Sequence, residues 1–160
     1  KTIEDLNTDA EGRIVLADVL AWAVKHERPD MIVDLATLTG ACVAALGDDI
    51  AGIMGNDRLA IGRVADALGT AGERAWELPL EKNYRKMLKS DIADIKNVTG
   101  AKGGGTITAG LFLEYFVEKT PWVHLDIAGP AFRDKAGPLS PPGATGYGVR
   151  GLLELIRSYA

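Results

Sequence analysis

The sequence has one cysteine and no long apolar run, and each scarcity excludes a class of structure. Cys42 alone cannot form an internal disulfide, which fits a reducing cytosol. No apolar stretch reaches the ~18 residues that a membrane-spanning helix needs. The first residues, KTIEDLNTDAEGR, are polar and mixed in charge, unlike a secretory signal. We therefore expect a cytoplasmic protein without a membrane partner.

The protein also lacks an excess of positive charge. Its 18 Lys and Arg residues are outnumbered by 22 Asp and Glu residues, which leaves a formal net charge of −4. This mildly acidic balance gives no electrostatic reason for binding to DNA, RNA or anionic lipid. Hydrophobic residues make up 47% and charged residues 25%, values that exclude wholesale disorder. The length of 160 residues suits one domain, able to bury roughly 70% of its extended surface.

Glycine, in contrast, is abundant. The chain has 19 glycines, well above the usual share of about 7%, and they cluster at 103–105 and between 143 and 151. Clustered glycines predict loops with special backbone angles or close backbone approach. The first cluster lacks the form of a phosphate-binding P-loop, so we interpret it as a site of close approach. The Pro- and Gly-rich stretch 129–146 is long enough to be a candidate functional loop.

Apolar periodicity predicts strands that alternate with helices. The predicted helices span residues 13–26, 57–68, 106–119 and 147–159, with a short one at 84–88. The predicted strands span residues 31–35, 50–54 and 122–127, after an extended start at 1–6. Periodicity does not decide between strand and short helix for 41–46, and it finds no regular element in 91–98. The pattern indicates an α/β fold with a largely parallel sheet flanked by helices.

The densest chemistry lies in the string NTDAEGR, residues 7–13. If this segment is extended, Asp9 and Glu11 point to the same side. Two carboxylates on one face repel unless a cation lies between them, and oxygen ligands at this spacing suit divalent metals, including a metal pair. Arg13 follows on the same side and stays charged, so it would act as a planar donor to an anion.

The same residues also match a helix start. Thr8 and Glu11 have the spacing of a capping box directly before an apolar helix. Acidic residues near a helix N-terminus are expected from the helix dipole alone. Spacing by itself leaves both interpretations open and favours the cap.

The full string NTDAEGR resembles the signature of the leucyl aminopeptidase (cytosol aminopeptidase) family of two-metal exopeptidases. Further strings are similar to that family in the same order along the chain. They are DLATLTGA at 34–41, DIADIKN at 91–97, the glycine-rich helix entry at 103–112, HLDIAG at 124–129 and GATGYGVR at 143–150.

The resemblance implies a site with two divalent metal ions, manganese or zinc. Asp9 and Glu11 match metal-ligand carboxylates of the family. Arg13 matches the catalytic arginine, which works with a bicarbonate-like anion beside the attacking water. The remaining matches are substrate-binding positions, namely Thr37, Leu38 and Gly40 on a backbone-binding loop, Ala128 and Ala131 in the first side-chain pocket, and Asn7, Ala10 and Val98 near the second.

One family motif is missing from these 160 residues. It has the form K-G-x-x-x-D-x-G-G and is followed by a catalytic Lys and another ligand Asp. We therefore expect residues 1–160 to be the C-terminal portion of the catalytic domain, with an incomplete sheet and about half of the metal site. The isolated chain is expected to bind metal poorly, to be inactive and to expose apolar surface.

The resemblance further implies hydrolysis of N-terminal amino acids from peptides with a free N-terminus, by a homohexamer. Two other functions remain open. One is a non-catalytic binding role, including the DNA transactions of related proteins, against which the net charge of −4 argues. The other is a scaffold that has lost its chemistry, against which the intact NTDAEGR string argues.

Five further polar residues are expected to have structural roles. Histidine at a helix end interacts favourably with the dipole, and a histidine on an apolar strand is usually a hydrogen-bonded core residue. Buried carboxylates need partners, and a cysteine in an apolar stretch packs as a small hydrophobe. These residues are His26, His124, Asp34, Asp126 and Cys42.

Overall fold

A four-stranded sheet forms the centre of the fold in the computed structural model, which describes residues 1–137 and 140–159. The strands are β1 Ile3–Glu4, β2 Ile32–Ala36, β3 Ala51–Gly55, β4 Ala75–Glu77, β5 Ile95–Lys96, β6 Trp122–Asp126, β7 Phe132–Arg133 and β8 Gly143–Ala144. The helices are α1 Glu11–His26, α2 Gly40–Leu46, α3 Arg58–Thr70, α4 Gly105–Val117 and α5 Val149–Arg157. Short 3₁₀ helices span Thr8–Ala10 and Lys82–Leu88.

The central sheet has the strand order β2-β6-β3-β4. The pairs β2–β6 and β3–β4 are parallel, whereas β3 runs antiparallel to β6. A separate parallel pair joins β1 to β5, and an antiparallel pair joins β7 to β8. Parallel pairing therefore predominates among the described strands, and the predicted α/β fold with a largely parallel sheet is confirmed.

Strand β6 decides how the layers pack, because all five of its residues are buried. Its side chains alternate between the two faces, as they do in any strand. Trp122 belongs to the apolar cluster formed with α1 and α4. Val123 and Leu125 belong to the cluster formed with α3 and α5. The sheet is thus covered by helices on both sides, which explains why β6 is buried on both faces.

The ends of the helices follow local chemistry. The Asp57 carboxylate accepts a hydrogen bond from the Ala60 amide at 2.8 Å, so it caps α3. The Thr39 hydroxyl oxygen accepts from the Cys42 amide at 3.1 Å, and this cap begins α2 where periodicity was undecided. Gly104 precedes α4 with φ +71°, a left-handed conformation that suits glycine.

Several short elements differ from the predictions. Strand β5 lies in the stretch 91–98 that was expected to be irregular, and β4 was not predicted. The predicted loop 129–146 contains β7 and β8, and its residues 138–139 lie outside the described part. Strands of two or three residues carry no periodicity of their own, because their partners define them. Within the described ranges, every helix is too short or too polar to cross a membrane.

Candidate functional site

The segment that carries the candidate metal ligands is helical, so the condition under which Asp9 and Glu11 would share one side of an extended strand is not met. Residues Thr8–Ala10 form a 3₁₀ turn, and Glu11 begins α1. The turn forms because the side-chain oxygen of Asn7 accepts from the Asp9 amide at 3.1 Å. The predicted capping box is also absent, since Asn7 provides the cap and α1 itself has no side-chain cap. Because the segment is not a strand, the two-residue spacing of Asp9 and Glu11 does not place their carboxylates on the same side.

The carboxylates of Asp9 and Glu11 are nevertheless available to a ligand. Both residues are exposed. Neither carboxylate has a hydrogen bond or ion pair within residues 1–137 and 140–159. No group of three or more His, Cys, Asp and Glu side chains in those ranges has the arrangement of a metal site. The two carboxylates are thus unengaged oxygen donors, the ligand type that hard divalent cations prefer.

Arg13 differs from its neighbours because it is buried, with 8% of its surface exposed. Its Nη1 donates a hydrogen bond to the Asn97 carbonyl oxygen at 2.6 Å. Its Nε is buried and has no acceptor among the described residues. Burial lowers the pKa of the guanidinium, and the nearby Asp126 carboxylate opposes that shift. Arg13 therefore presents unused donors of the kind that an oxyanion requires.

Asp126 connects two segments that were predicted to bind substrate. Its fully buried carboxylate accepts from the amides of Leu38 and Thr39 at 3.1 and 3.4 Å. It also accepts from the Thr39 hydroxyl at 2.6 Å and from the Ala128 amide at 3.2 Å. One charged group at the end of β6 therefore holds the 37–40 loop beside Ala128.

The start of α1 lies against this loop. A side-chain carbon added at Gly12 would lie 3.7 Å from Leu38 Cδ1. Gly12 lies between Glu11 and Arg13, so the structure brings the loop next to the segment with the candidate ligands. In the loop, Thr37 and Gly40 are exposed and Leu38 is half-buried. The exposed positions are accessible from solvent.

The remaining predicted positions fall into two places. Asn7 is exposed, and Ala10 and Val98 are half-buried. Asn7 is linked to the residue before Val98, because the Asn97 side chain donates to the Asn7 carbonyl oxygen at 2.9 Å. Ala131 is half-buried in the turn after Ala128 and donates to the Ile127 carbonyl oxygen at 3.0 Å.

The comparison with known families decides the identity. The model of the "Cytosol aminopeptidase family, catalytic domain" matches residues 1–153. The chain belongs to the cytosol aminopeptidase family.

Similar proteins agree with this assignment. A probable cytosol aminopeptidase of Chlorobaculum tepidum is 51% identical over 160 residues, which cover 99% of this chain and 31% of that protein. One of Trichormus variabilis is 56% identical over 158 residues, which cover 99% of this chain and 32% of that protein. The chain thus spans about a third of the length of these curated relatives.

Solved structures extend the agreement to the fold. The bottromycin maturation enzyme BotP in complex with Mn superposes on this chain with a TM-score of 0.89 and 44% sequence identity. The superposition covers 98% of this chain and 35% of BotP. This chain therefore shares its fold with about a third of BotP, over nearly the whole length of this chain.

His124, Asp34 and Cys42 have the surroundings expected of structural residues. His124 is fully buried, with Nδ1 2.6 Å from Asp34 Oδ1. Trp122 Nε1 donates to the other Asp34 oxygen at 2.6 Å. Cys42 is fully buried, and burial raises the pKa of its thiol to about 11. A neutral, enclosed thiol is no nucleophile, so Cys42 packs as a small hydrophobe.

Sequence reasoning missed three polar residues that organise the site, namely Thr39, Asn97 and Thr106. All three are buried. The Thr39 hydroxyl lies 2.8 Å from the Thr106 hydroxyl, so it connects the Asp126 carboxylate to α4. Asn97 carried one available signal, because it lies in the family-like string at 91–97, directly before Val98.

Proposed function

We propose that residues 1–160 form the C-terminal portion of the catalytic domain of a metal-dependent aminopeptidase. The enzyme would remove N-terminal amino acids from peptides with a free N-terminus. The observation that carries this proposal is the family match over residues 1–153, which includes the free carboxylates of Asp9 and Glu11 beside the buried Arg13. A cytoplasmic location is supported by the names of the relatives.

Asp9 and Glu11 would hold divalent metal ions. Their exposed carboxylates have no partner among the described residues, and the similar enzyme BotP has been solved with Mn. Manganese is therefore the first ion to test, with zinc as the second. When bound, two such ions would supply Lewis-acid chemistry that acidifies a water molecule and stabilises an oxyanion.

Arg13 would hold the anion beside the reacting centre, for which bicarbonate is our candidate. Its Nη1 is engaged by the Asn97 carbonyl, so its other donors remain for the ligand. Because the guanidinium is mostly buried, its attraction to an anion is less screened by water than at the surface. The role is thus to fix a small oxyanion where it can accept and pass on a proton.

The 37–40 loop would bind the substrate backbone. The amides of Leu38 and Thr39 already donate to Asp126, so they are not free for a substrate. Carbonyl oxygens of the loop, rather than these two amides, would therefore accept hydrogen bonds from the amino end of a peptide. Ala128 and Ala131 would line the pocket for the first side chain, and Asn7, Ala10 and Val98 the pocket for the second.

The test uses a catalytic chain of the relatives' length that contains these 160 residues. Glu11→Gln keeps the side-chain shape but removes one ligand charge, so Mn²⁺ affinity and peptide hydrolysis should both fall at least tenfold. Arg13→Lys removes the planar donor set, so kcat should fall while Mn²⁺ affinity stays within twofold. The matched control is Glu27→Gln, an exposed acid after the other end of α1.

Unchanged hydrolysis in Glu11→Gln would contradict the assignment of that residue as a ligand. An unsubstituted chain that neither binds Mn²⁺ nor hydrolyses an amino-acid amide would overturn the aminopeptidase proposal as a whole.

The homohexamer remains a proposal. Apolar side chains are exposed along one face of α1, at Val15, Val19 and Trp22. A second exposed row on α5 consists of Val149, Leu153 and Ile156. Exposed apolar rows of this kind support the idea that additional protein surface covers them in the assembled enzyme.

A further inference from the structure

Asn97 is a fully buried asparagine at the end of β5, with 0% of its surface exposed. Asparagine is seldom buried, because its amide forms four hydrogen bonds in water that the interior must replace. A buried amide therefore indicates a specific set of partners. Those partners show what the residue organises.

The Asn97 side chain binds the segment that leads into the site. Its Nδ2 donates to the Asp5 carboxylate at 2.7 Å and to the Asn7 carbonyl oxygen at 2.9 Å. Its Oδ1 accepts from the Leu6 amide at 2.9 Å. The Asn97 amide donates to the Glu4 carbonyl oxygen at 2.9 Å. Four consecutive residues, 4–7, are thus held by one residue that is about 90 positions away in the sequence.

The same residue binds Arg13. The Asn97 carbonyl oxygen accepts from Arg13 Nη1 at 2.6 Å, in the buried part of the structure. Among the described residues this is the hydrogen bond that orients the guanidinium, since Nε has no acceptor there. Asn97 therefore contacts the chain on both sides of Asp9 and Glu11, just before them and just after.

We propose that Asn97 is a positioning residue for the site formed by Asp9, Glu11 and Arg13. By fixing residues 5–7 it sets the direction in which the chain enters the 3₁₀ turn, and so the direction in which the two carboxylates face. By accepting from Arg13 it sets the orientation of the guanidinium. Asn97 itself touches neither metal nor substrate. The inference rests on the proposed function for its effect on catalysis.

A purely structural role is the alternative, because Asn97 also helps hold β1 against β5. The chain offers a matched control at the other end of this strand pair. The Asp94 carboxylate accepts from the Thr2 amide at 2.7 Å and from the Thr2 hydroxyl at 3.1 Å. The substitution Asp94→Ala therefore weakens the same strand pair. The Asp94 carboxylate forms no hydrogen bond to residues 5–7 or to Arg13.

The experiment compares Asn97→Ala with Asp94→Ala in the catalytic chain of the relatives' length. We expect Asn97→Ala to lower kcat and Mn²⁺ affinity at least tenfold, with a smaller change in KM. We also expect faster hydrogen exchange at the amides of residues 6–9, measured by mass spectrometry without added metal. Asp94→Ala should lower the melting temperature but leave kcat and Mn²⁺ affinity within twofold.

A second variant keeps the test decisive if Asn97→Ala fails to fold. Asn97→Asp preserves the shape and the acceptor for Leu6 but replaces the donor to Asp5 and Asn7 with a negative oxygen. We expect the same loss of kcat and the same faster exchange at residues 6–9. A folded Asn97 variant whose kcat, Mn²⁺ affinity and exchange equal those of Asp94→Ala would overturn the proposal.

The failure of the proposed function would look different. In that case the unsubstituted chain would show no hydrolysis and no Mn²⁺ binding. The exchange of residues 6–9 would still report whether Asn97 positions this segment.

Discussion

At the scale of single residues, the site depends on polar groups that are buried. Asp126 accepts four hydrogen bonds from three residues, Leu38, Thr39 and Ala128, and is itself fully buried. Hydrogen bonds to a charged acceptor contribute about 1.5–3 kcal/mol each, and a buried charge without partners is costly. The carboxylate is therefore stable only where these partners converge, which fixes the 37–40 loop in one position.

Replacing this carboxylate by an amide should loosen the loop. In Asp126→Asn one oxygen becomes an N–H₂ group that cannot accept, so at least one donor of the loop loses its partner. We expect the free energy of unfolding to fall by about 2–4 kcal/mol, measured by urea denaturation. The control Asp66→Asn, exposed on α3, should change it by less than about 0.5 kcal/mol. Equal values for both variants would show that Asp126 does not hold the loop.

At the scale of the elements, the strands approach their neighbours closely where glycine allows it. Gly55 ends β3 opposite Val123, and a side-chain carbon there would overlap the Trp122 carbonyl oxygen. A backbone atom cannot move aside without disturbing the pairing of β3 with β6. Gly62 is different, because it is exposed on α3 and has nothing within 4 Å of an added carbon.

Substitution by alanine should therefore change the free energy of unfolding in opposite directions at Gly55 and Gly62. Gly55→Ala should destabilise the protein by about 1–3 kcal/mol, as overpacking does. Gly62→Ala should stabilise it by about 0.5–1 kcal/mol, because alanine favours the helix and reduces the entropy of the unfolded chain. Thermal unfolding of the two variants measures both effects. A shared sign would contradict the close approach at Gly55.

The elements also show which parts of the fold were predictable. The helices α1, α3 and α4 and the strands β2, β3 and β6 have enough residues for their apolar period to appear in the sequence. The undecided segment at 41–46 became helix α2 because the Thr39 hydroxyl caps it. Segment 7–11 became helical for a similar reason, since the Asn7 side chain caps the 3₁₀ turn. Local hydrogen bonds determined the secondary structure of these two segments, and such bonds cannot be predicted from the spacing of apolar residues.

At the scale of the whole molecule, the candidate site has fewer ligands than a metal ion requires. Asp9 and Glu11 are two carboxylates, and in the described ranges no third His, Cys, Asp or Glu completes a metal-binding group. Affinity for a divalent ion rises with the number and charge of its ligands. The 160 residues by themselves should therefore bind Mn²⁺ weakly.

Calorimetric titration with Mn²⁺ tests this expectation. The 160-residue chain should bind at least 100-fold more weakly than a catalytic chain of the relatives' length. The control is Asp9→Asn combined with Glu11→Gln in the 160-residue chain, which should abolish the remaining binding. Equal affinity in the two unsubstituted chains would mean that these residues hold the ion without further ligands.

Some properties of this chain follow from its sequence, whereas others depend on its tertiary structure. The sequence alone determined the family, through NTDAEGR and the strings that follow it, and most long elements, through the spacing of apolar residues. Only the tertiary structure decided which polar groups are buried and what they hold. Asn97 forms hydrogen bonds with Leu6 and Arg13, and Asp126 forms one with Leu38. The partners are 84 to 91 residues apart in the sequence. Such partners become neighbours only when sheet and helices pack, and the cost of burying an unpaired polar group then selects them.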